Sequence, residues 1–198
     1  MSGAIDRRTT GVLLGMIAGD AYVNVRERLK SGKYPYTSSE MRVVHGMQQR
    51  AYCEYKCELV NELLGRNSSV KIVANGPGGK YRGAGFTVSH PYFKLLKELT
   101  YKNGKKTFNE VWLDRLTPEG VALWYMDDGH ARRNRNKDGR VTSVATSIAT
   151  CCSRAEVDLI CDWFRDVHTI SFRPFEEGSG WSVQANTENS RLFVHLVY

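Results

Sequence analysis

Hydrophobic and polar residues in the first half of the chain follow the periods of helices and strands in turn. An apolar run from Gly11 to Gly19 predicts a buried helix. From Tyr22 to Lys30 the residues alternate in polarity, which predicts a half-exposed strand, and residues 40–44 predict its hairpin partner. The pattern therefore begins as a helix followed by a hairpin.

A second helix and a second hairpin follow. The helical spacing of Tyr52, Tyr55, Leu59 and Leu63 predicts a helix over residues 49–64, which ends at Gly65. Two apolar segments then flank a glycine-rich turn at 76–79, and Pro91 opens a helix that runs to about residue 100. These two strands are predicted over Val70–Ala74 and Tyr81–Ser89.

The second half repeats this order of elements. Thr117-Pro118-Glu119 is a strong helix start, because it combines an N-cap, a proline at the first position and an acid in the first turn. The elements that follow are predicted as strands at 130–137 and 141–150, a helix at 153–167, strands at 170–175 and 181–185, and a helix from 187. The sequence thus predicts an α/β (α+β) fold of two αββαββα repeats, over residues 1–100 and 117–198, joined by a linker at 101–116.

The composition is that of an ordinary globular protein with an excess of positive charge. The 198 residues carry 28 Lys and Arg against 21 Asp and Glu, for a net charge of +7. The whole excess comes from residues 1–100, yet a dense basic segment also lies at 130–140. Such a distribution favours a polyanionic partner such as nucleic acid.

Membrane and secreted classes are disfavoured. The apolar run at 11–19 falls short of the ~18 residues that a spanning helix needs. The five cysteines are odd in number and form no CxxC pair, which favours a reducing, intracellular compartment that the sequence does not specify further. Cys53 and Cys57 lie one helical turn apart, so they are either half a metal site or, as we expect, buried small residues.

Two segments in matching positions carry the candidate chemistry. They read Leu13-Leu-Gly-Met-Ile-Ala-Gly-Asp20-Ala and Val121-Ala-Leu-Trp-Tyr-Met-Asp-Asp128-Gly. Both resemble the LAGLIDADG motif of homing endonucleases, with the diagnostic acid at Asp20 and Asp128. The resemblance extends over nearly the whole chain and is to the single-chain, two-repeat branch of that family.

Elementary chemistry gives these two acids a purpose. Gly15 and Gly19 lie on one face of the first helix, so a second helix can approach closely and bring the two C-terminal ends together. A carboxylate at each end opposes the helix dipole and repels its neighbour, an arrangement that divalent cations relieve. Asp20 and Asp128 are therefore predicted Mg²⁺ ligands for phosphodiester hydrolysis. Asp127 is either a capping group or a carboxylate that supports the site.

The resemblance implies that the hairpin after each motif helix belongs to a saddle-shaped antiparallel sheet, with helices on its other face, which lies in the DNA major groove. Arginine and asparagine suit guanine and adenine edges, and the other basic residues suit phosphates. The candidate DNA-binding residues are Asn24, Arg26, Arg28, Lys30, Arg42, Lys80 and Arg82 in the first repeat, and Arg132, Arg133, Arg135, Lys137 and Arg140 in the second.

Two further residues match catalytic positions of the family. Lys106, after the last helix of the first repeat, resembles the basic residue near the scissile phosphate. Gln48, after the second strand, resembles a polar residue that orders water. The family likeness also implies two or three divalent ions.

The sequence predicts a monomeric, Mg²⁺-dependent, site-specific endonuclease that acts on double-stranded DNA with a long pseudo-palindromic or asymmetric target. Two alternatives remain open, an intron maturase that binds RNA and a catalytically inactive DNA-binding regulator of the same fold. A duplicated structural protein without a nucleic-acid partner leaves the basic strands unexplained.

Overall fold

The computed structural model describes residues 5–29, 35–75, 79–178 and 180–198. Residues 76–78 of the predicted glycine-rich turn at 76–79 lie outside these ranges. The helices are α1 Arg7–Ala18, α2 Arg50–Leu64, α3 Tyr92–Thr100, α4 Glu110–Leu113, α5 Pro118–Asp128, α6 Arg154–His168 and α7 Thr187–Val197. The strands are β1 Tyr22–Leu29, β2 Pro35–Gly46, β3 Lys71–Asn75, β4 Tyr81–Ser89, β5 Tyr101–Lys102, β6 Lys105–Lys106, β7 Gly129–Arg135, β8 Val141–Cys152, β9 Phe172–Glu177 and β10 Gly180–Ala185.

Two four-stranded antiparallel sheets have the same strand order. The first runs β1-β2-β4-β3 and the second runs β7-β8-β10-β9. Each sheet follows a motif helix and is interrupted by one helix between its two hairpins, which gives αββαββα twice. The predicted α/β class and its duplicated order of elements are confirmed.

The described residues between 20 and 99 pack as one compact unit, and those of 1–19 pack with those of 100–198 as another. In the first of these, α2 covers the apolar face of β2 and β4. In the other, α6 and α7 cover the second sheet around Phe164, Phe172 and Phe193. The repeat boundaries at 1–100 and 117–198 stay a prediction, because this grouping follows packing and places α1 with the second sheet.

Helices α1 and α5 pack at backbone distance. Almost every residue of α1 is buried, and a Cβ atom at Gly15 would overlap the carbonyl of Gly120. Each helix begins at a side-chain cap: Asp6 accepts a bond from the Thr9 amide at 2.7 Å, and Thr117 caps α5 as predicted. The two glycines therefore set the spacing of the pair.

Several sequence expectations are corrected in detail. The buried face of α2 is formed by Cys53, Lys56, Cys57, Leu59, Val60 and Leu64. Tyr55 is exposed, so the predicted stripe through Tyr52, Tyr55, Leu59 and Leu63 had the wrong phase. Strand β2 is also longer than the predicted 40–44, because residues 35–42 pair with β1 and residues 40–46 pair with β4.

The predicted linker at 101–116 contains regular structure. Strands β5 and β6 form a hairpin whose turn residues, Asn103 and Gly104, both have positive φ values of 52° and 78°. Asn-Gly is a preferred sequence for a two-residue hairpin turn, and this signal was overlooked in the sequence. The short helix α4 then follows.

Cysteine burial agrees with the expected structural role. Cys53 and Cys57 are buried on α2, and the Cys53 thiol lies 3.5 Å from the carbonyl of Ala84. Burial raises the pKa of Cys53 to about 11 and that of Cys161 to about 12, so both stay protonated thiols near neutral pH. Among the described residues, no helix is long and apolar enough to cross a membrane.

The close helix contact yields a stability test. We expect Gly15→Ala to lower the free energy of unfolding by about 1–3 kcal/mol, because the added methyl group meets backbone that cannot rotate away. Gly46→Ala is the matched control, since a Cβ at Gly46 meets nothing within 4 Å and its φ of −61° suits alanine. Urea unfolding of both variants measures the difference. Equal stability of the two variants would contradict the glycine contact.

Candidate functional site

The C-terminal ends of α1 and α5 meet. Helix α1 ends at Ala18, and its cap Gly19 donates to the carbonyl of Gly15 at 3.2 Å. A Cβ at Gly19 would overlap the side chain of Asp127 near the end of α5. Asp127 thus packs at the helix contact. The C-cap of α5 is Gly129, which argues against the capping role considered for Asp127.

The two motif acids lie at these helix ends. Asp20 directly follows the cap of α1, and Asp128 is the last residue of α5. The side chain of Asp20 is 44% exposed, whereas Asp128 is half-buried. Both carboxyl groups stand at the end of a helix where the backbone carbonyls already concentrate negative charge.

His45 contacts Asp20 and was missed by the sequence analysis. Its Nδ1 atom lies 3.3 Å from Oδ2 of Asp20, and its side chain is almost fully buried. Its position along the chain gave a signal. Every second residue in the last part of β2 is buried, and His45 falls in this buried set with Met41 and Val43. A histidine in that set is a polar group in a core position.

Gln48 lies just after β2, as the sequence analysis placed it. It belongs to a 3-10 turn, Met47–Gln49, and is exposed. It follows His45, whose ring lies beside Asp20, by three residues along the chain. A water-ordering role for Gln48 stays a prediction.

Lys106 is held by the hairpin of β5 and β6. Its Nζ atom donates to the carbonyl of Gly19 at 2.6 Å. The hairpin is anchored next to Lys106 by a bond from the Thr107 amide to the carbonyl of Thr100 at 2.9 Å. The structure therefore brings the predicted lysine to the cap residue that precedes Asp20 in the chain.

In the first sheet, the strand register defines an outer face that points away from α2. The inner face of β1 and β2 carries Val23, Met41 and Val43, which are fully buried. The outer face carries Asn24, Arg26, Arg42, Lys71 and Thr87, all at positions that pair in register across the sheet. Lys71 is an addition to the predicted set.

Two predicted residues of the first repeat, Lys80 and Arg82, do not extend this outer face. Arg82 pairs with Ala74 and shares the strand phase of the buried Ala84 and Phe86, so its predicted place beside Arg42 is wrong. Lys80 precedes β4 and lies outside the strand. Arg28 occupies a backbone position in the phase of Arg26, and Lys30 lies outside the described residues.

In the second sheet, adjacent basic residues lie on opposite faces. Arg132 pairs with Ala145, on the face of Ser147 and Gln184. Arg133 pairs with Val144, on the face of the buried Thr146 and Ile148. The predicted grouping of Arg132 with Arg133 on one surface is therefore wrong, because neighbouring strand residues alternate between faces.

The remaining basic residues of the second hairpin cluster at its turn. A register shift separates Asn134 from Arg135, and the guanidinium of Arg135 donates to the carbonyl of Gly139 at 2.7 Å. Lys137 and Arg140 are exposed in the same turn. On the strand itself, the amide of Asn134 donates to the hydroxyl of Ser143 at 2.7 Å. This bond fixes the Asn134 side chain on the outer face of the sheet, the face that carries Arg132.

Solved structures with the same architecture are homing endonucleases and related domains. The chain is similar to the homing endonuclease I-WcaI bound to its DNA recognition sequence, with a TM-score of 0.72 and 17% identity over 98% of this chain and 82% of that one. It is similar to I-DmoI in complex with its target DNA in the presence of Mg, with a TM-score of 0.57, 13% identity and 96% coverage of both chains. It is also similar to the N-terminal LAGLIDADG domain of DUF199/WhiA, with a TM-score of 0.55 and 12% identity over 99% and 84%. At these identities the likeness shows the fold.

Curated relatives match over part of their length. The chain is 28% identical over 172 residues to Protein RecA of Mycobacterium shimoidei, covering 85% of this chain and 38% of that protein. It is 27% identical over 195 residues to Protein RecA of Mycolicibacterium fallax, covering 94% and 42%. The chain thus spans about two fifths of the length of these relatives.

A family model covers nearly the whole chain. It describes the LAGLIDADG DNA endonuclease family and matches residues 10–193, from within α1 to within α7. The matched range includes both motif helices and both sheets, so the resemblance carried by Asp20 and Asp128 is confirmed at the level of the family. The chain belongs to the LAGLIDADG DNA endonuclease family.

Proposed function

We propose that this chain is a site-specific endonuclease of double-stranded DNA that uses divalent ions at Asp20 and Asp128. The observation that carries the proposal is the pair of glycine-packed helices, each followed or ended by an aspartate and each leading into a sheet of the same order. The family membership supports the nuclease class, and DNA-bound relatives support the substrate.

The donor set suits a hard divalent ion. Carboxylate oxygens are the ligands that Mg²⁺ prefers, and the Asp20 side chain is exposed enough for an ion to reach it from solvent. When bound, such ions activate water and stabilise the leaving oxygen of a phosphodiester. Two or three ions of the Mg²⁺ class would be held by Asp20 and Asp128.

The other residues of the proposal divide into positioning and binding roles. Lys106 is held by its hydrogen bond to the Gly19 carbonyl. Its ammonium stabilises the negative charge that develops on the scissile phosphate. The outer face of the first sheet offers Asn24, Arg26, Arg42 and Lys71, and that of the second offers Arg132 and Asn134, to base edges and phosphates. Because one chain carries both motif helices, it would act as a monomer on an asymmetric or pseudo-palindromic target.

The first test separates cleavage from binding. We expect Asp20→Asn and Asp128→Asn to abolish cleavage of the uninterrupted host locus in Mg²⁺ while target affinity in Ca²⁺ changes less than about threefold, because the acids hold metal and not bases. Asp162→Asn is the control, since Asp162 is exposed on α6 and paired with Arg165. Gel shifts and plasmid cleavage give the two readouts.

Cleavage by either variant at the wild-type rate would remove that acid from the site. A wild-type chain that binds its locus but never nicks it would favour the binding-only alternatives, a maturase or an inactive regulator.

The second test uses the two faces of β7. We expect Arg132→Gln to weaken DNA binding and to reduce the slope of log K against log salt by about 0.9, the contribution of one phosphate contact. Arg133→Gln should leave both nearly unchanged, because Arg133 lies on the helix-covered face of the sheet. Titrations at several salt concentrations measure the slopes. Equal slopes for the two variants would mean that the outer face is not the DNA surface.

The third test uses two adjacent lysines of β6. Lys106→Met should lower the single-turnover cleavage rate by about 10²–10³, the usual cost of removing a charge-stabilising donor. Lys105→Met should have little effect, because Lys105 is exposed and in the opposite phase of the strand. Rates are compared at saturating Mg²⁺ and DNA, with thermal unfolding as the check on folding. Equal losses in both variants would assign the effect to the hairpin instead of the Lys106 charge.

A further inference from the structure

A buried histidine lies next to Asp20, and a buried lysine lies next to that histidine. His45 is 2% exposed on β2, and Lys56 is 0% exposed on α2. Lys56 occupies the apolar face of α2 between Cys53 and Val60, where a leucine would fit the pattern. Because burying an ammonium is costly and an apolar residue in its place is often as stable, a lysine there calls for a role beyond packing.

The three side chains form a line of contacts. Nδ1 of His45 lies 3.3 Å from Oδ2 of Asp20, and Nε2 of His45 lies 3.3 Å from Nζ of Lys56. An ammonium has donors and no acceptor, so Nε2 must accept from Lys56. The single proton of the neutral ring is then on Nδ1, which faces Oδ2 of Asp20 at 3.3 Å.

The ring of Tyr52 packs beside both His45 and Lys56. The ring of Tyr52 lies 5.1 Å from the ring of His45, centroid to centroid, and Nζ of Lys56 lies 4.6 Å from the centre of the Tyr52 ring. A cation over an aromatic face is attracted to it, which helps to retain the buried ammonium. Tyr52 and Lys56 are one turn apart on α2, so a single helix face holds the histidine in place.

We propose that Lys56 and His45 are positioning residues that orient the Asp20 carboxylate. The proposal rests on the proposed function of Asp20 as a metal ligand. Lys56 fixes the tautomer and the direction of the His45 ring, so that Nδ1–H faces Oδ2 of Asp20 and sets the direction of that carboxylate before an ion arrives. Outer partners that orient a ligand in this way typically change metal affinity by about 10- to 100-fold when they are removed.

The tautomer of His45 is a test that needs no nuclease activity. Long-range proton–nitrogen NMR spectra of the imidazoles should show His45 with its proton on Nδ1 in the wild-type chain. In Lys56→Met the Nε2–H form should gain population, because Nε2 loses its donor. An Nε2–H ring in the wild-type chain, or an unchanged tautomer in Lys56→Met, would contradict the proposal that Lys56 donates to Nε2 and fixes the tautomer.

Metal affinity is the second readout. Lys56→Met should weaken Mn²⁺ binding to the full chain, measured by water-proton relaxation, by about 10- to 100-fold, with unchanged melting temperature and DNA affinity. Lys94→Met on the exposed side of α3 is the control. A purely structural role would instead lower the melting temperature and leave Mn²⁺ affinity unchanged, and that result would overturn the proposal.

Substitutions at His45 keep the proposal falsifiable if Lys56→Met does not fold. His45→Gln retains an amide donor and should lose less Mn²⁺ affinity than His45→Leu, which retains none. The double variant His45→Leu with Lys56→Met should bind Mn²⁺ as His45→Leu does, because Lys56 acts through His45. Additive losses, or equal affinities for His45→Gln and His45→Leu, would overturn it. Failure of the wild-type chain to cut DNA would count against the proposed function, while the NMR and relaxation results would still decide this one.

Discussion

The close approach of α1 and α5 is the contact on which the rest of the arrangement depends. Gly15 and Gly120 let the two backbones meet, and Gly19 leaves room for Asp127. Any larger side chain at these positions would separate the helix ends and with them the residues that the ends carry. An acid at a helix C-terminus is electrostatically unfavourable. Here the packing of α1 against α5 fixes the helix ends, so this repulsion is not relieved by moving the ends apart.

The sequence predicted the architecture because the spacing of apolar residues distinguishes helices from strands clearly in both repeats. The alternation in β1 also placed Asn24 and Arg26 correctly on one face, since apolar residues such as Val23 mark the other. The same reasoning failed in β7, where Arg132 and Arg133 are both basic and no apolar partner reveals the phase. Only the pairing with β8 assigns their faces.

Residues of the candidate site were harder to predict where their role depends on tertiary contacts. Lys106 was found through its motif, but the hairpin that aims it was taken for a linker although Asn103-Gly104 is a strong turn signal. His45 and Lys56 carry no motif. They are recognised only after the strand phase of β2 and the buried face of α2 are known, and the tyrosine-based stripe assigned to α2 concealed the lysine.

Helix α1 precedes the first sheet in the chain but packs with the unit that follows it. During synthesis, its apolar surface therefore leaves the ribosome long before its partner α5 exists. About one hundred residues separate the two helices, which corresponds to roughly 5–20 s of translation at ordinary rates. Throughout this interval α1 has no α5 to pack against. The order of the elements leaves the apolar surface of α1 open to chaperone capture or aggregation until α5 has been made.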